Sequence, residues 1–289
     1  MLRSILVTGL VNGAIYALLA LGFSLVFGVA RIVNIAYAGL YMLSAYLVYA
    51  LLHGGGLPAP AAVPLAVAAV VALGVAVYRG VVEPVREHES AVLISTIALT
   101  LVFQEVVLAV FGGHFLGNPV WVDGAWRVLG VTVTHQQALS LGVVAAALLG
   151  LGLVLGRTRL GLAIRATAND REVANLMGMD VRRVETWSAA LSAGLAGIAG
   201  AVVAPLAVID PQMWQAPLVN ILAIVVVGGL GSLLGSLAAA FIVGYVEAAT
   251  VFLLPSGSFL KGAVALTLMV GVLLVRPEGL FGVAFEEER

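Results

Sequence analysis

The sequence predicts an all-α, polytopic membrane protein: a bundle of about eight to nine membrane segments, some short or broken, with a helix-bearing cytoplasmic loop at about 157–184. Three observations carry this expectation. The chain is 62% hydrophobic and 10% charged, whereas soluble domains carry about 25% charged residues. Nine stretches, roughly 5–28, 33–52, 60–80, 91–112, 137–156, 186–208, 217–231, 235–254 and 259–275, approach the ~20 apolar residues that a membrane helix needs. The remaining charge is concentrated: between Gly156 and Trp187 stand Arg157, Arg159, Arg165, Arg171, Arg182 and Arg183, with Asp170, Glu172, Asp180 and Glu185.

The first stretch follows a single arginine, Arg3, and is too long for the apolar core of a cleaved signal peptide, so it reads as a retained membrane segment. The second opens on Asn34 and is rich in small residues, which suits either a spanning or a re-entrant segment. The seventh is short and ends in Gly228-Gly229-Leu230-Gly231, as a broken helix would. Backbone breaks at membrane depth are tolerated only where protein or a cavity surrounds them. Orientation follows from the arginines. The 157–183 loop, Arg79 to Arg86, and Arg276 fall on the cytoplasmic side, while 53–60, 113–136, 210–217 and 255–258 are poor in positive charge and fall outside. Trp121, Trp126 and Trp214 lie in the outer connections, and Trp187 lies where the sixth segment enters from the cytoplasm. The N-terminus is outside if the second segment spans, and inside if it does not. No polar stretch is long enough to bury a core of its own, so residues 1–289 read as one transmembrane domain.

Enzyme chemistry finds little support. Without cysteine there is no thiol catalysis, zinc-thiolate site or disulfide. His53, His88, His114 and His135 never pair at metal-ligand spacing, no Gly-x-Ser-x-Gly occurs, and no Walker A loop is present, so no cofactor or metal is expected. A net charge of −1 gives no sign of nucleic-acid binding. The run Gly229-Leu-Gly231-Ser-Leu-Leu-Gly235 lacks the third glycine of a dinucleotide fingerprint. Gly231, Gly235 and Ala239, like Gly194, Gly197 and Gly200, instead form small-residue faces that let helices approach closely. Ionisable groups at membrane depth are costly, which singles out Glu105 and Glu247 in the outer halves of their segments. Glu247 is placed to pair with Lys261 across the 255–258 turn; Glu105 has no evident basic partner and is either protonated or turned to a pathway. Asn12, Asn34, Asn220, Gly228 and Gly229 complete the residues that line a pathway or pack helices.

Inside the arginine-rich loop, Asn169-Asp170-Arg171-Glu172 has the spacing of a capping box with Asn169 as the cap. Gly178 is placed to end that short helix in a left-handed conformation, and Asp180 to cap the next. Val173, Leu176 and Met177 then share one apolar face, suited to resting on lipid headgroups or to docking on a protein.

The run from Gly156 to Gly178 closely resembles a cytoplasmic loop of ABC importer permeases for branched-chain amino acids. The resemblance extends over nearly the whole chain, through Phe27-Gly-Val-Ala-Arg-Ile-Val-Asn34-Ile-Ala36, Val225 to Gly235, and Leu273-Leu-Val-Arg-Pro-Glu-Gly-Leu-Phe-Gly282. Where that family often has Phe-Ala-His-Gly-Glu after the early asparagine, this chain reads Ile35-Ala36-Tyr37-Ala38-Gly39. The resemblance implies a permease in the bacterial or archaeal cytoplasmic membrane, moving small amino acids with energy from separate ATPase subunits. It further implies a second permease subunit or a self-copy, and an extracytoplasmic substrate-binding protein. The short cytoplasmic helix, with Arg165, Asn169, Asp170, Arg171, Glu172, Val173, Leu176, Met177 and Gly178 in its loop, would be the coupling helix that docks on an ATPase. An ion-driven secondary transporter, or a permease for urea, amides or other small polar solutes, is the alternative.

Overall fold

A computed structural model describes residues 1–128, 131–254 and 257–281. Among them, eight helices are long and apolar enough to cross a membrane. They are α1 (Leu2–Ala30), α2 (Ala36–His53), α3 (Ala59–Val77, continued through a π-helical turn, Tyr78–Val82, into α4, Glu83–Val85), α5 (Glu89–Phe111), α6 (His135–Arg157), α9 (Val181–Val203), α11 (Leu233–Leu253) and α12 (Gly257–Val275). Between α6 and α9 lie α7 (Arg159–Asn169) and α8 (Arg171–Leu176); α10 (Gln215–Gly228) precedes α11. Helices α1, α2 and α9 are mostly buried, whereas α5, α6 and α12 turn most of their surface outward.

Local chemistry explains several boundaries. The N-cap of α6 is a full capping box: the Thr134 hydroxyl accepts from Gln137 N–H at 3.2 Å and the Gln137 side chain accepts from Thr134 N–H at 3.1 Å. Ser232 caps α11 by accepting from Gly235 N–H at 3.1 Å. The π-turn in α3 is explained by Pro84, which has no N–H to continue the ladder and whose ring would strike the carbonyl one α-turn back; the Glu83 N–H reaches to the Tyr78 carbonyl instead.

The short seventh segment is confirmed. Helix α10 has 14 residues, about 21 Å of rise, against a hydrocarbon core of ~30 Å. The carbonyls at its end are taken up by the chain beyond α12, with Leu280 N–H to Val227 O at 2.8 Å and Phe281 N–H to Gly228 O at 3.1 Å. Gly229 (φ 98°) and Gly231 (φ 82°) supply the left-handed turns that start α11 immediately afterwards.

The second segment is long and apolar enough to span. Helix α2 runs alongside α5 in the same direction, from Ile35 N–H on Thr96 Oγ1 at 3.3 Å to the Tyr46 ring 5.0 Å from that of Phe111. The fifteen-residue advance from Thr96 to Phe111 is about 22 Å of α-helix. Since Thr96 lies near the α5 end that follows Arg86, α1 finishes near the arginine-bearing end of the bundle and begins at the other. The two orientations left open for the N-terminus thus reduce to one, opposite the arginine-rich loop.

Glycines decide how closely the central helices approach. In the antiparallel pair α1–α11, a Cβ on Gly13 would sit 2.7 Å from the Phe241 ring, and one on Gly244 would sit 2.6 Å from Gly13 Cα. On α9, a Cβ at Gly200 would strike the Tyr41 carbonyl, and Gly197 O accepts the Ser44 hydroxyl at 2.5 Å. Between α10 and α11, a Cβ at Gly235 would fall on the Gly228 carbonyl oxygen. The small-residue stripes are therefore close-packing surfaces at Gly200 and Gly235, whereas a Cβ at Gly194 or Gly197 would meet its nearest neighbour in ordinary contact at 3.5 Å, and one at Gly231 at 3.6 Å.

One feature departs from the all-α expectation. Strands β1 (Ala125–Val128) and β2 (Val131–Thr134) form an antiparallel hairpin with Trp126 opposite Val133; the two residues joining them lie outside the described set. Alternating Val131, Val133 and the β-branched Thr132, Thr134 favour this form. The same loop is pinned to the 204–214 connection by reciprocal Leu116–Ile209 backbone bonds of 2.9 and 2.8 Å. Two connections expected outside thus meet at one end of the bundle, and the two basic connections meet at the other. A cysteine replacing exposed Gly117, which has open space around it, will label with an impermeant thiol reagent on intact cells, and Asn175→Cys only after permeabilisation; the reverse pattern would invert this topology.

Candidate functional site

The arginine-rich loop folds as two helices rather than one. Thr158 caps α7, its hydroxyl accepting from Gly161 N–H at 3.0 Å, and α7 runs through Arg165 to Asn169 with Ile164 and Thr167 buried. The cap of α8 lies one residue later than the spacing suggests. Asn169 ends α7, and it is the Asp170 carboxylate that accepts from Val173 N–H at 3.0 Å. The physical reason is register: α7 remains helical through Asn169, and Asp170 (φ −149°, ψ 115°) is the first extended residue, as an N-cap requires. Glu172 is exposed and makes no return bond to Asn169 among the described residues.

The other end of α8 agrees with expectation. Gly178 is left-handed (φ 84°), its N–H bonds Asn175 O at 3.0 Å, and Met179 N–H bonds Ala174 O at 3.1 Å, a complete Schellman motif. Asp180 then caps α9 by accepting from Arg183 N–H at 3.1 Å. Only Ala174 of α8 is buried. Val173, Leu176 and Met177 are 52%, 85% and 76% exposed, so a short, doubly capped helix presents an unpartnered apolar face at the arginine-bearing end.

Beneath it lies a residue that spacing did not single out. Glu185, in the second turn of α9, is fully buried. Its Oε2 accepts from Tyr78 OH at 2.9 Å and Arg86 Nη1 at 2.7 Å, and its Oε1 lies 2.5 Å from Arg171 Nη2. The first two are aligned hydrogen bonds; the third is a close charge contact without hydrogen-bond alignment. Because Arg86 and Arg171 are 23% and 39% exposed and the carboxylate has three partners, losing one costs less than the ~3–5 kcal/mol of breaking a fully buried pair. Arg182 sits 3.9 Å from Glu83 but is largely exposed, a pair worth little. A groove of about 720 Å³ runs beside α8, lined by Arg86, Glu87, Arg171, Glu172, Asn175 and Asp180 among others. Glu185 was legible only as one more charge in a charged loop, because its partners stand about a hundred residues away at Tyr78 and Arg86.

The residues expected at membrane depth divide. Tyr16 OH donates to Glu247 Oε2 at 2.7 Å, and Asn220 Nδ2 donates to Glu247 Oε1 at 2.9 Å and to Tyr16 OH at 2.9 Å. Glu247 is fully buried in this three-helix knot of α1, α10 and α11. No direct ion pair joins Glu247 to Lys261 among the described residues, so the expected hairpin contact is replaced by a longer-range attraction between the two charges. The turn that would have brought the two together includes residues 255–256, outside the described set. Glu247→Leu should lower thermal stability in detergent by about 1–3 kcal/mol, since it removes the acceptor of Tyr16 OH and one of the two bonds of Asn220 Nδ2, while Lys261→Glu, which alters only a longer-range attraction, should cost clearly less. Equal losses would restore the Lys261 pairing.

Asn12 and Asn34 are half-buried; Asn34 lines a cavity of about 10 Å³ with Phe23, Ile32, Tyr37 and Ser192, and its Oδ1 is buried without a hydrogen-bond partner. Glu105 is exposed on the outward side of α5; its neighbour Gln104 accepts from Trp214 Nε1 at 2.7 Å. Gly228 and Gly235 are helix contacts, and Gly229 and Gly231 are turn residues. No set of three or more histidine or acidic side chains capable of holding a metal occurs among the described residues.

Similarity to known proteins matches this architecture. The chain is 29% identical to the high-affinity branched-chain amino acid transport system permease protein BraD of Pseudomonas aeruginosa, over 96% of this chain and 94% of that one. It is 28% identical to the corresponding LivH protein of Escherichia coli K12, over 95% and 93% of the two chains. It is 26% identical to a probable branched-chain amino acid transport permease protein, LivH, of Methanocaldococcus jannaschii, over 99% and 94%. The solved structure of PsaBC from Streptococcus pneumoniae in complex with Fab shares the fold, with a TM-score of 0.50 at 15% identity over 97% of this chain and 93% of that one. The eight spans make this a multi-pass protein of the cytoplasmic membrane. The family described as the permease component of the branched-chain amino acid transport system matches residues 5–273, and this chain belongs to it.

Proposed function

We propose that this chain is the membrane permease subunit of an ATP-driven importer for branched-chain amino acids. It works with separate ATPase subunits, a second permease subunit or a copy of itself, and an extracytoplasmic binding protein that delivers the substrate. Residues 1–289 act as one transmembrane unit, and the 157–184 loop is the element that meets the ATPase. The observation that carries the reading is α8: a six-residue helix capped at both ends, with Val173, Leu176 and Met177 exposed. An apolar face of that kind in water loses free energy unless something covers it, at about 25 cal/mol per Å² of apolar surface. Relatives named as branched-chain amino acid permeases support the substrate. The fully bonded state of Glu247 argues against a coupling-ion site, because its oxygens already serve Tyr16 and Asn220.

The test is uptake of labelled L-leucine into proteoliposomes holding this chain, its cognate ATPases and second permease, with the binding protein on the donor side. Uptake should require ATP on the ATPase side and be indifferent to proton and sodium gradients. Gradient-driven uptake without ATP would replace this reading with that of a secondary transporter, and ATP-dependent uptake of urea or amides in preference to leucine would change the substrate class.

A further inference from the structure

The geometry points to Glu185 as the joint through which movement of α8 reaches the membrane-spanning helices: a positioning residue for transport, not part of the pathway. The inference rests on the reading of α8 as the ATPase-docking helix and adds how that helix is attached to the rest. Helix α8 has almost no grip of its own, since Ala174 is its only buried residue. Its ends are tied by caps made within the loop, from Asp170 and Gly178. The contact that reaches from α8 to another helix with full charge is Arg171 on Glu185 Oε1.

From Glu185 the connection divides. One branch is the backbone of α9 itself, a mostly buried helix packed against α1, α2 and α3. The other passes through Oε2 to Tyr78 and Arg86. Tyr78 begins the π-helical turn of α3, where the ladder runs from Glu83 N–H to Tyr78 O. Such turns interrupt helices where they yield, and they are frequent at functional sites. Arg86 lies between α4 and α5, so it ties the start of α5 to the same carboxylate. Farther along, α3 and α9 are in backbone-close contact, where a Cβ on Gly74 would strike Ala193 Cβ. A push on α8 therefore arrives at one buried carboxylate that holds the ends of α3, α5 and α9 together.

Burial makes the arrangement directional. Glu185 is itself fully buried, so displacing Arg171 while Tyr78 and Arg86 stay would leave Oε1, which no hydrogen bond holds, without the positive charge beside it. The carboxylate must follow the arginine. The exposed Arg182–Glu83 pair nearby carries no such constraint, because water replaces either partner.

Two measurements on the assembled transporter test the joint. The first is the number of ATP molecules hydrolysed per L-leucine imported. Arg171→Ala and the nearly isosteric Tyr78→Phe should retain the ATPases at the parental ratio, because the apolar face of α8 is untouched, yet raise this number severalfold or more. Arg171→Lys, which keeps the charge, should restore most of the coupling, and Arg182→Ala should behave as parental. The second needs no substrate: the distance between spin labels at Asn175 and Glu87, exposed residues on the groove's walls. In the otherwise unaltered protein it should stay constant within about 2 Å, the scale of a helix shift, between the nucleotide-free and ATP–vanadate states. In Arg171→Ala it should broaden. Unchanged coupling in both Arg171→Ala and Tyr78→Phe overturns the joint, as does a label distance that shifts with nucleotide in the unaltered protein. Parallel loss of uptake and ATPase retention would make these residues merely structural and likewise overturn it. If the unaltered complex binds its ATPases but imports no leucine, the substrate reading fails while the label distances still decide the joint.

Discussion

Leu176→Asp is expected to abolish transport while leaving the permease inserted and folded. Leu176 is 85% exposed and touches the aqueous side of a two-turn helix, so an aspartate there disturbs no contact within the chain. Its effect would fall on whatever covers the face. Replacing an apolar anchor with an unpaired charge in a buried contact costs roughly 1–3 kcal/mol, about five- to a hundredfold in affinity. Copurification with the ATPases measures that loss directly, and thermal unfolding in detergent should match the parent. Ala166→Asp, on α7 and away from the face, should do less. Normal ATPase retention together with parental transport in Leu176→Asp would remove α8 from the docking interface.

Gly235→Val should have an effect of comparable size on folding itself. The Gly235 Cα hydrogens meet the Gly228 carbonyl across the α10–α11 turn, and a Cβ at Gly228 would lie 2.5 Å from the Gly235 carbonyl carbon. Neither obstacle is a flexible side chain, so the backbone must move. Overpacking alone costs about 1–3 kcal/mol. Here it would also pull the end of α10 away from Leu280 and Phe281, whose N–H groups satisfy its last carbonyls. The expected outcome is a large fall in monodisperse protein after extraction. Gly271→Ala on α12, where no atom lies within 4 Å of the added methyl, should leave yield unchanged or raise it slightly. Equal behaviour of the two variants would mean that the α10–α11 contact does not hold the bundle.

The sequence by itself determined the membrane class, the approximate position of every span, the short α10 and the end of the bundle on which each connection lies. These follow from local quantities: apolar run length against bilayer thickness, glycine placement, and arginine counts in loops. It also determined the C-cap at Gly178 and the N-cap at Asp180, since caps are made within a few residues. The N-cap of α8 was misplaced by one residue because Asn169 and Asp170 are both good caps, and only the preceding helix α7 decides between them.

The partners of buried charge were decided by tertiary structure alone. Glu247 lies fourteen residues from Lys261 in the chain, yet its bonds go to Tyr16 and Asn220 on two other helices. Glu185 is held by Tyr78 and Arg86 across two intervening spans, α5 and α6. A carboxylate withdrawn from water takes whichever donors the packed helices bring within bonding distance. Which donors those are depends on how closely glycine-lined faces such as Gly13–Gly244 and Gly228–Gly235 bring the helices together, and that is a property of the assembled bundle rather than of any one segment.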